Sequence, residues 1–286
     1  MKKIYSKLYG SLELGDEYPT VIMGVINLSP ESFYKGSVFQ DADEIKEAVG
    51  QMIENGAQIL DIGARSTAPW SKTITVKEEK ERIIPALDVI SEIIGDDIVI
   101  SIDTQYREVA EKAYETTKRH NKKIIINDVS CLKTDPSLGD FIIDEQLPAI
   151  LMASKEVPGD LCTMKEIRNE FANTLKYLEK KGYDTDNLIL DPGIGHWVEK
   201  KSYEYDLSII KNLEQLHKFQ KPVLVAISRK SFIGTTLSIP EPKNRLAGTL
   251  SATAIAVYNG AHIIRTHDVT KDLLDMVKMA KEIRNA

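Results

Sequence analysis

Eight short apolar runs recur along the chain, at residues 21–27, 59–63, 99–103, 124–129, 149–152, 188–191, 223–227 and 262–266. Most are β-branched and apolar throughout, the pattern of strands covered on both faces. A stretch long enough for an amphipathic helix follows each run. Helices are expected at 42–55, 76–94, 163–181 and 245–259, each ending at a glycine (Gly56, Gly95, Gly182 and Gly260). Thr270 is placed to cap a last helix at 271–284, and 136–145 carries the weakest helical pattern. Eight β-α units with no linker rich in Gly, Pro or Ser predict one α/β domain, a single (β/α)8 TIM barrel over residues 21–286. A doubly wound sheet is the alternative. The length of 286 residues suits such a barrel, which needs roughly 250. Residues 1–20, with Tyr5, Leu8 and Leu12, are expected to form a short N-terminal extension over the barrel's N-terminal opening.

The chemically capable residues sit where these runs end. The ends carry Asn27, Gly63, Asp103, Asn127-Asp128, Asp191-Pro192-Gly193, Arg229-Lys230-Ser231 and Arg265-Thr266-His267-Asp268. Carboxyl ends of parallel strands converge on one face, where such folds bind and react. Asp103 or Thr104 could instead cap a helix beginning near residue 106. Taken together, the ends make an acid-and-amide half and a cationic half. That rim suits a ligand with a hydrogen-bonding heterocycle at one end and a phosphate at the other. Asp and Asn can read an amino-pyrimidinone edge bidentately, while Lys, Arg, His and hydroxyls neutralise phosphate. The net charge of −6 makes any anion site a local pocket and argues against nucleic-acid or anionic-membrane partners. No run approaches the roughly 18 apolar residues of a membrane span. Cys131 and Cys162 lack metal or CxxC spacing and read as reduced thiols, so a soluble, cytoplasmic protein is expected.

The motifs, in order, resemble those of the dihydropteroate synthase family, the pterin-binding (β/α)8 barrels. The resemblance spans residues 21–283. It rests on Met23 to Phe33, Asp61-Ile62-Gly63 with Ser66-Thr67-Ala68-Pro69, Ser101 to Thr104, Ile126 to Val129, Asp191 to Gly195, Ser228 to Gly234, Arg245 with Gly248-Thr249-Leu250, and Arg265 to Val269. The family joins 6-hydroxymethyl-7,8-dihydropterin diphosphate to an aryl amine, classically p-aminobenzoate, and releases pyrophosphate with Mg²⁺. The resemblance implies that Asp103, Asn127 and Asp191 hold the pterin, with Lys230 and Gly195 beside it and Met152 as an apolar wall. It implies that Asn27, Arg265 and His267 hold the diphosphate, Asn27 also near Mg²⁺, and that Thr67 lies in the second loop. Asp103, Lys230, Arg265 and His267 are then the candidate catalytic groups. Mg²⁺, Arg265 and His267 would stabilise charge on the departing pyrophosphate, and Asp103 positive charge on the pterin. No covalent nucleophile is needed. A homodimer is also implied, with the helix at 246–258 as a candidate interface.

The chain departs from the family pattern around the amine. The usual Gly-Glu-Ser-Thr-Arg-Pro-Gly reads Ala64-Arg65-Ser66-Thr67-Ala68-Pro69-Trp70, and the Phe-Gly-Lys after Gly195 reads His196-Trp197-Val198. After Leu151-Met152, His-Met becomes Ala153-Ser154. Ser29, Pro30, Phe33, Arg65, Ser66, Pro69, Trp70 and Ser231 are the candidates to enclose the acceptor. One explanation is tolerant loop variation. Another is a larger acceptor, the ribofuranosyl-aminobenzene phosphate of methanopterin synthesis, in an archaeal-type member that would use Arg65 and Trp70. A pterin-dependent methyltransferase would not need the Lys230, Arg265 and His267 cluster. A non-catalytic pterin-binding paralogue would be expected to lack Asn27, Arg265 or His267, yet all three are present.

Overall fold

The computed structural model describes residues 3–29, 39, 41–65, 73–195 and 198–286. Strands β1 (Tyr5–Leu8) and β2 (Leu12–Gly15) form an antiparallel hairpin. Eight parallel strands follow: β3 (Val21–Asn27), β4 (Ala57–Gly63), β5 (Val99–Asp103), β6 (Ile124–Asp128), β7 (Ala149–Met152), β8 (Leu188–Asp191), β9 (Leu224–Ala226) and β10 (Ile263–Thr266). Their order is β8-β7-β6-β5-β4-β3-β10-β9. The ring closes where Leu190 bridges Val223 in parallel and donates its N–H to the Pro222 carbonyl at 2.9 Å. The fold is a single (β/α)8 TIM barrel, not a doubly wound sheet.

Helices α1 (Ala42–Glu54), α2 (Val76–Ile93), α3 (Arg107–Arg119), α4 (Pro136–Asp144), α5 (Met164–Lys180), α6 (Tyr203–Lys211), α7 (Ser231–Leu237), α8 (Leu246–Tyr258) and α9 (Lys271–Asn285) run between and after the strands. Local chemistry sets their starts. Thr75 with Glu78 and Thr163 with Glu166 form capping boxes on α2 and α5, and Thr270 caps α9. Pro136 in the first turn of α4 and the Asp135 cap start that helix where its periodic pattern is weak. Gly260 ends α8 with φ +96°, but α2 ends without such a cap, because Ile94 is already extended before Gly95. The α3 cap also differs from expectation. Tyr106 occupies the cap position without a side-chain bond, so neither Asp103 nor Thr104 caps this helix.

Strand parity divides the core. Met23, Ile59, Val99, Ile125, Ile150, Ile189, Leu224 and Ile263 fill the barrel interior together with Leu8, Leu12 and Leu14 of the hairpin. Ile22, Leu60, Ile62, Ile100, Ile102 and Ile126 face the helices. Side chains alternate with period two. By the same parity the inward positions nearer the carboxyl ends are Asn27, Asp61, Asp103, Asn127, Met152, Asp191 and Arg265, above the hydrophobic plug. Among the described residues no helix is long and apolar enough to cross a membrane.

Candidate active site

Sheet register brings the first group together. Asn27 aligns with Gly63, Gly63 with Asp103, and Asp103 with Asn127, while Met152 aligns with Asp191 across the barrel. Gly63 leaves this row room, since a Cβ there would lie 3.2 Å from the Asp103 Cβ and press on that side chain. Strand β10 carries Arg265 into the same space. Its Nε donates to Asp61 Oδ2 at 2.6 Å and its Nη2 to Asp103 Oδ2 at 2.9 Å. Asp61 Oδ1 also accepts from Ser101 Oγ at 2.6 Å and from Asn127 Nδ2 at 3.2 Å. A fully buried carboxylate thus ties together four strands of the rim.

The opposite wall is built on the turn after β8. Asp191 Oδ1 accepts the Gly193 N–H at 2.8 Å, and Lys230 Nζ donates to the Ile194 carbonyl at 2.5 Å. Met152 is buried, and its side chain lies 3.2 Å from where a Gly193 Cβ would stand. Gly193, at φ +72°, meets both constraints. Gly195 is buried in the same turn. On the third side, the His267 backbone N–H donates to Ser228 Oγ at 3.3 Å. Ser231 opens α7 beside Lys230, and Asn27 Oδ1 accepts the Ser29 N–H at 2.9 Å.

Electrostatics within this space are strongly perturbed. Burial first, and the Asp61 charge second, push Asp103 up to about 7, against the opposing pull of Arg265. Burial also raises Asp191, opposed mainly by Lys230. Burial lowers Lys230 to about 8, with Asp191 limiting the fall. Burial and the cations Arg265, Lys230 and Arg229 lower His267 to about 3. His267 is therefore a neutral hydrogen-bonding imidazole at pH 7, not a third positive charge. Arg229 is likewise committed elsewhere. It makes a bidentate pair with Asp268 at 2.7 Å and donates to the Pro242 and Lys243 carbonyls. The cationic half narrows to Lys230 and Arg265.

Other sequence candidates have structural partners. Arg65 donates from Nε to the buried Glu79 carboxylate at 2.7 Å and from Nη1 to the Ile74 carbonyl at 2.6 Å, and it lies over the Tyr106 ring. Glu79 in turn accepts from Thr104 Oγ1 at 2.7 Å. Asp128, outward by parity, accepts the Ser130 and Leu132 N–H groups. Arg245 donates to the carbonyls of Arg229, Ile239 and Pro240. Ser154, in place of the usual Met, joins the Val129 carbonyl to the Gly159 N–H. Pro30, Phe33, Ser66, Thr67, Pro69 and Trp70 lie outside the described residues, as do His196 and Trp197.

Two buried groups stand outside the residues expected to bind. Asp61 was legible by parity, two positions after the inward Ile59. Lys201 was not legible at the spacing where a lysine was sought. It lies three residues beyond Val198, fully buried, with Nζ 2.5 Å from the Gly193 carbonyl and 3.5 Å from Asp206. At the other end of the barrel, Asp16, His217 and His262 gather within metal-ligand distance. There the Val223 N–H donates to His262 Nδ1 at 3.0 Å, so Nε2 carries the proton and faces Asp16 Oδ1 at 3.4 Å. Arg284 lies 3.7 Å from the same carboxylate oxygen. That cluster fastens the hairpin to β10; it lacks the free imidazole lone pair on His262 that a metal needs.

Comparison with known proteins decides the lineage. The pterin binding enzyme family matches residues 23–267. Dihydropteroate synthase of Clostridium beijerinckii is 34% identical over 264 residues, covering 92% of this chain and 94% of that protein. The chain belongs to the dihydropteroate synthase family of pterin binding enzymes. The structure of the Yersinia pestis family member in complex with a sulfonamide drug superposes with a TM-score of 0.86 at 26% identity, covering 99% of this chain and 100% of that one. The Xanthomonas albilineans member with 4-aminobenzoic acid gives a TM-score of 0.82 at 27% identity, with full coverage of both chains. These relatives do not bear out an archaeal-type member. They also do not favour the methanopterin, methyltransferase or non-catalytic alternatives.

Proposed function

We propose that this chain is a dihydropteroate synthase, a transferase that joins 6-hydroxymethyl-7,8-dihydropterin diphosphate to p-aminobenzoate and releases pyrophosphate. One observation carries the reading. An acid-and-amide wall of Asp103, Asn127 and Asp191 meets Lys230 and Arg265 inside one barrel mouth. The wall suits the donor-rich edge of a pterin, with Lys230 and Gly195 flanking the ring and Met152 as its apolar side. Arg265 keeps Nε and Nη2 on carboxylates and can turn Nη1 toward a diphosphate. His267, neutral at pH 7 by itself, donates a hydrogen bond there and gains proton affinity beside a diphosphate anion. Thr67 belongs to the second loop, and Ser29, Pro30, Phe33, Arg65, Ser66, Pro69, Trp70 and Ser231 border the amine.

Leaving-group departure from the pterin methylene is the demanding step. Arg265 stabilises negative charge developing on the pyrophosphate, and the ionised form of Asp103 favours the pterin cation that forms as the C–O bond lengthens. The amine needs only to be held in line with that carbon. Asn27 fits Mg²⁺ through Oδ1, which retains a lone pair beside the Ser29 bond; one amide oxygen suits an ion held mostly by water and substrate phosphates. Bound there, Mg²⁺ would neutralise leaving-group charge. We place a homodimer contact on α8, where Leu246, Ile255 and Tyr258 are exposed. The two free, buried cysteines suit a reducing cytoplasm. The test is pyrophosphate release from the dihydropterin diphosphate with Mg²⁺, comparing p-aminobenzoate with the ribofuranosyl-aminobenzene phosphate. Turnover with p-aminobenzoate is expected; purified enzyme inert with that amine would refute the assignment.

A further inference from the structure

Four buried charges hold three consecutive residues of the turn after β8. Asp191 takes the Gly193 N–H at 2.8 Å, and Asp206, in the first turn of α6, takes the Gly195 N–H at 2.8 Å. Lys201 Nζ takes the Gly193 carbonyl at 2.5 Å, and Lys230 Nζ takes the Ile194 carbonyl at 2.5 Å. Carboxylates meet the donors and ammonium groups meet the acceptors. Both glycines have positive φ, +72° at Gly193 and +132° at Gly195, so the backbone alone does not favour this path with ordinary side chains. Two of the four charges, Asp191 and Lys230, are candidates to touch the pterin. The other two, Lys201 and Asp206, stand behind the turn with side chains 0% exposed.

Lys201 is costly where it sits. A fully buried ammonium loses its hydration, and a buried pair repays that only through good geometry and further hydrogen bonds. Here the pair is imperfect: Nζ lies 3.5 Å from Asp206 Oδ1, and Asp206 Oδ2 finds no hydrogen-bond partner among the described residues. An apolar side chain of similar length would fill the space without those losses. What the ammonium does that a methyl group cannot is fix the direction of the Gly193 carbonyl.

We infer that Lys201, with Asp206, is a positioning residue for the pterin: it locks the Gly193–Gly195 backbone so that Asp191 and Lys230 present their charges at one spacing. The inference rests on the proposed pterin site and deepens it. Lys201 does not reach the diphosphate side, where Asn27 and Arg265 belong to other strands. The two ends of the substrate should therefore respond differently to its removal.

The experiment uses the full-length protein and two probes, 6-hydroxymethylpterin by fluorescence and inorganic pyrophosphate with Mg²⁺ by calorimetry. Lys201→Met should weaken pterin binding by roughly 10-fold to 100-fold, the scale of a misplaced site, and leave pyrophosphate affinity within about twofold. Lys201→Met alone strands the Asp206 charge and can also lower stability. The double variant Lys201→Met/Asp206→Asn removes that charge and should recover the melting temperature while pterin affinity stays low. Recovery of both in the double variant would mean that Lys201 serves only as a counter-ion, and the inference would fall. It also falls if both probes weaken together in proportion to lost stability. Wild-type protein that binds no pterin would overturn the functional reading and this inference with it; wild-type binding with unaltered variants overturns the inference alone.

Discussion

Replacing Asp61 by asparagine should change the pH dependence of catalysis, because Asp61 sits beside the carboxyl group expected to face the pterin. Arg265 Nη2 lies 2.6 Å from Asp61 Oδ2 and 2.9 Å from Asp103 Oδ2, so the two oxygens are within about 5.5 Å of each other. At an effective dielectric of about 20, two like charges at that separation repel by about 3 kcal/mol, or roughly two pH units. In the wild type, burial and that repulsion hold Asp103 near 7. In the proposed site its ionised form accepts from the pterin, so kcat/KM for the pterin diphosphate should rise with pH through an apparent pKa near 7. Asp61→Asn removes the repulsion and leaves Arg265 to Asp103 alone. The acid limb should then move down by about two units, and activity near pH 6 should persist better relative to its own maximum. Stability moves too. A carboxyl whose folded pKa is raised above the unfolded value of about 3.9 contributes stability below that value and loses it as pH rises through about 7. With that pKa lowered by about two units, the variant should confine the loss to about pH 4–5, while losing about 3–5 kcal/mol overall from a broken buried network. The measurement is a pH profile of kcat/KM with melting curves at each pH. An acid limb that stays put, or moves up, would refute the assignment of the repulsion to Asp61.

Lys230 should set the opposite limb. Held near 8 by burial, it loses its charge as pH rises through that value, so kcat/KM should fall there, and Lys230→Met should lower activity throughout and flatten this limb; a basic limb unchanged in shape would count against the role. Arg65→Ala strands the buried Glu79, left among the described residues with Thr104 as its hydrogen-bond partner, and should cost roughly 3–5 kcal/mol in a denaturant melt. The acceptor KM should shift far less than stability does. A variant with wild-type stability and a changed acceptor preference would return Arg65 to the amine site.

The barrel was legible because its signal is repeated. Eight apolar runs, each short and β-branched, leave little choice but strands buried on both faces, and the β3, β5, β7 and β8 boundaries match the runs at 21–27, 99–103, 149–152 and 188–191 residue for residue. The run at 223–227 shortens to Leu224–Ala226, since β9 closes on β8 through a single bridge. Rim membership was legible for the same reason: one inward residue places every second one. Partnership was not. Nothing in the local sequence says that Arg229 will spend its guanidinium on Asp268, thirty-nine positions on, or that Arg65 will turn inward to Glu79. Those pairings depend on which loops lie side by side, and long side chains reach across several residues.

What the sequence determined by itself is therefore the periodic part: strand, helix, parity, and the set of polar groups delivered to one mouth. Tertiary structure decided what charge each of those groups carries. Asp103 near 7, Lys230 near 8 and a neutral His267 follow from desolvation and from neighbours supplied by other strands. It also decided the place of Lys201, whose ammonium reaches the Gly193 carbonyl from beyond the expected spacing. Periodicity is a property of adjacent residues and is written in their order. Electrostatic environment is a property of a closed volume, and it comes into being only when the barrel shuts and water leaves.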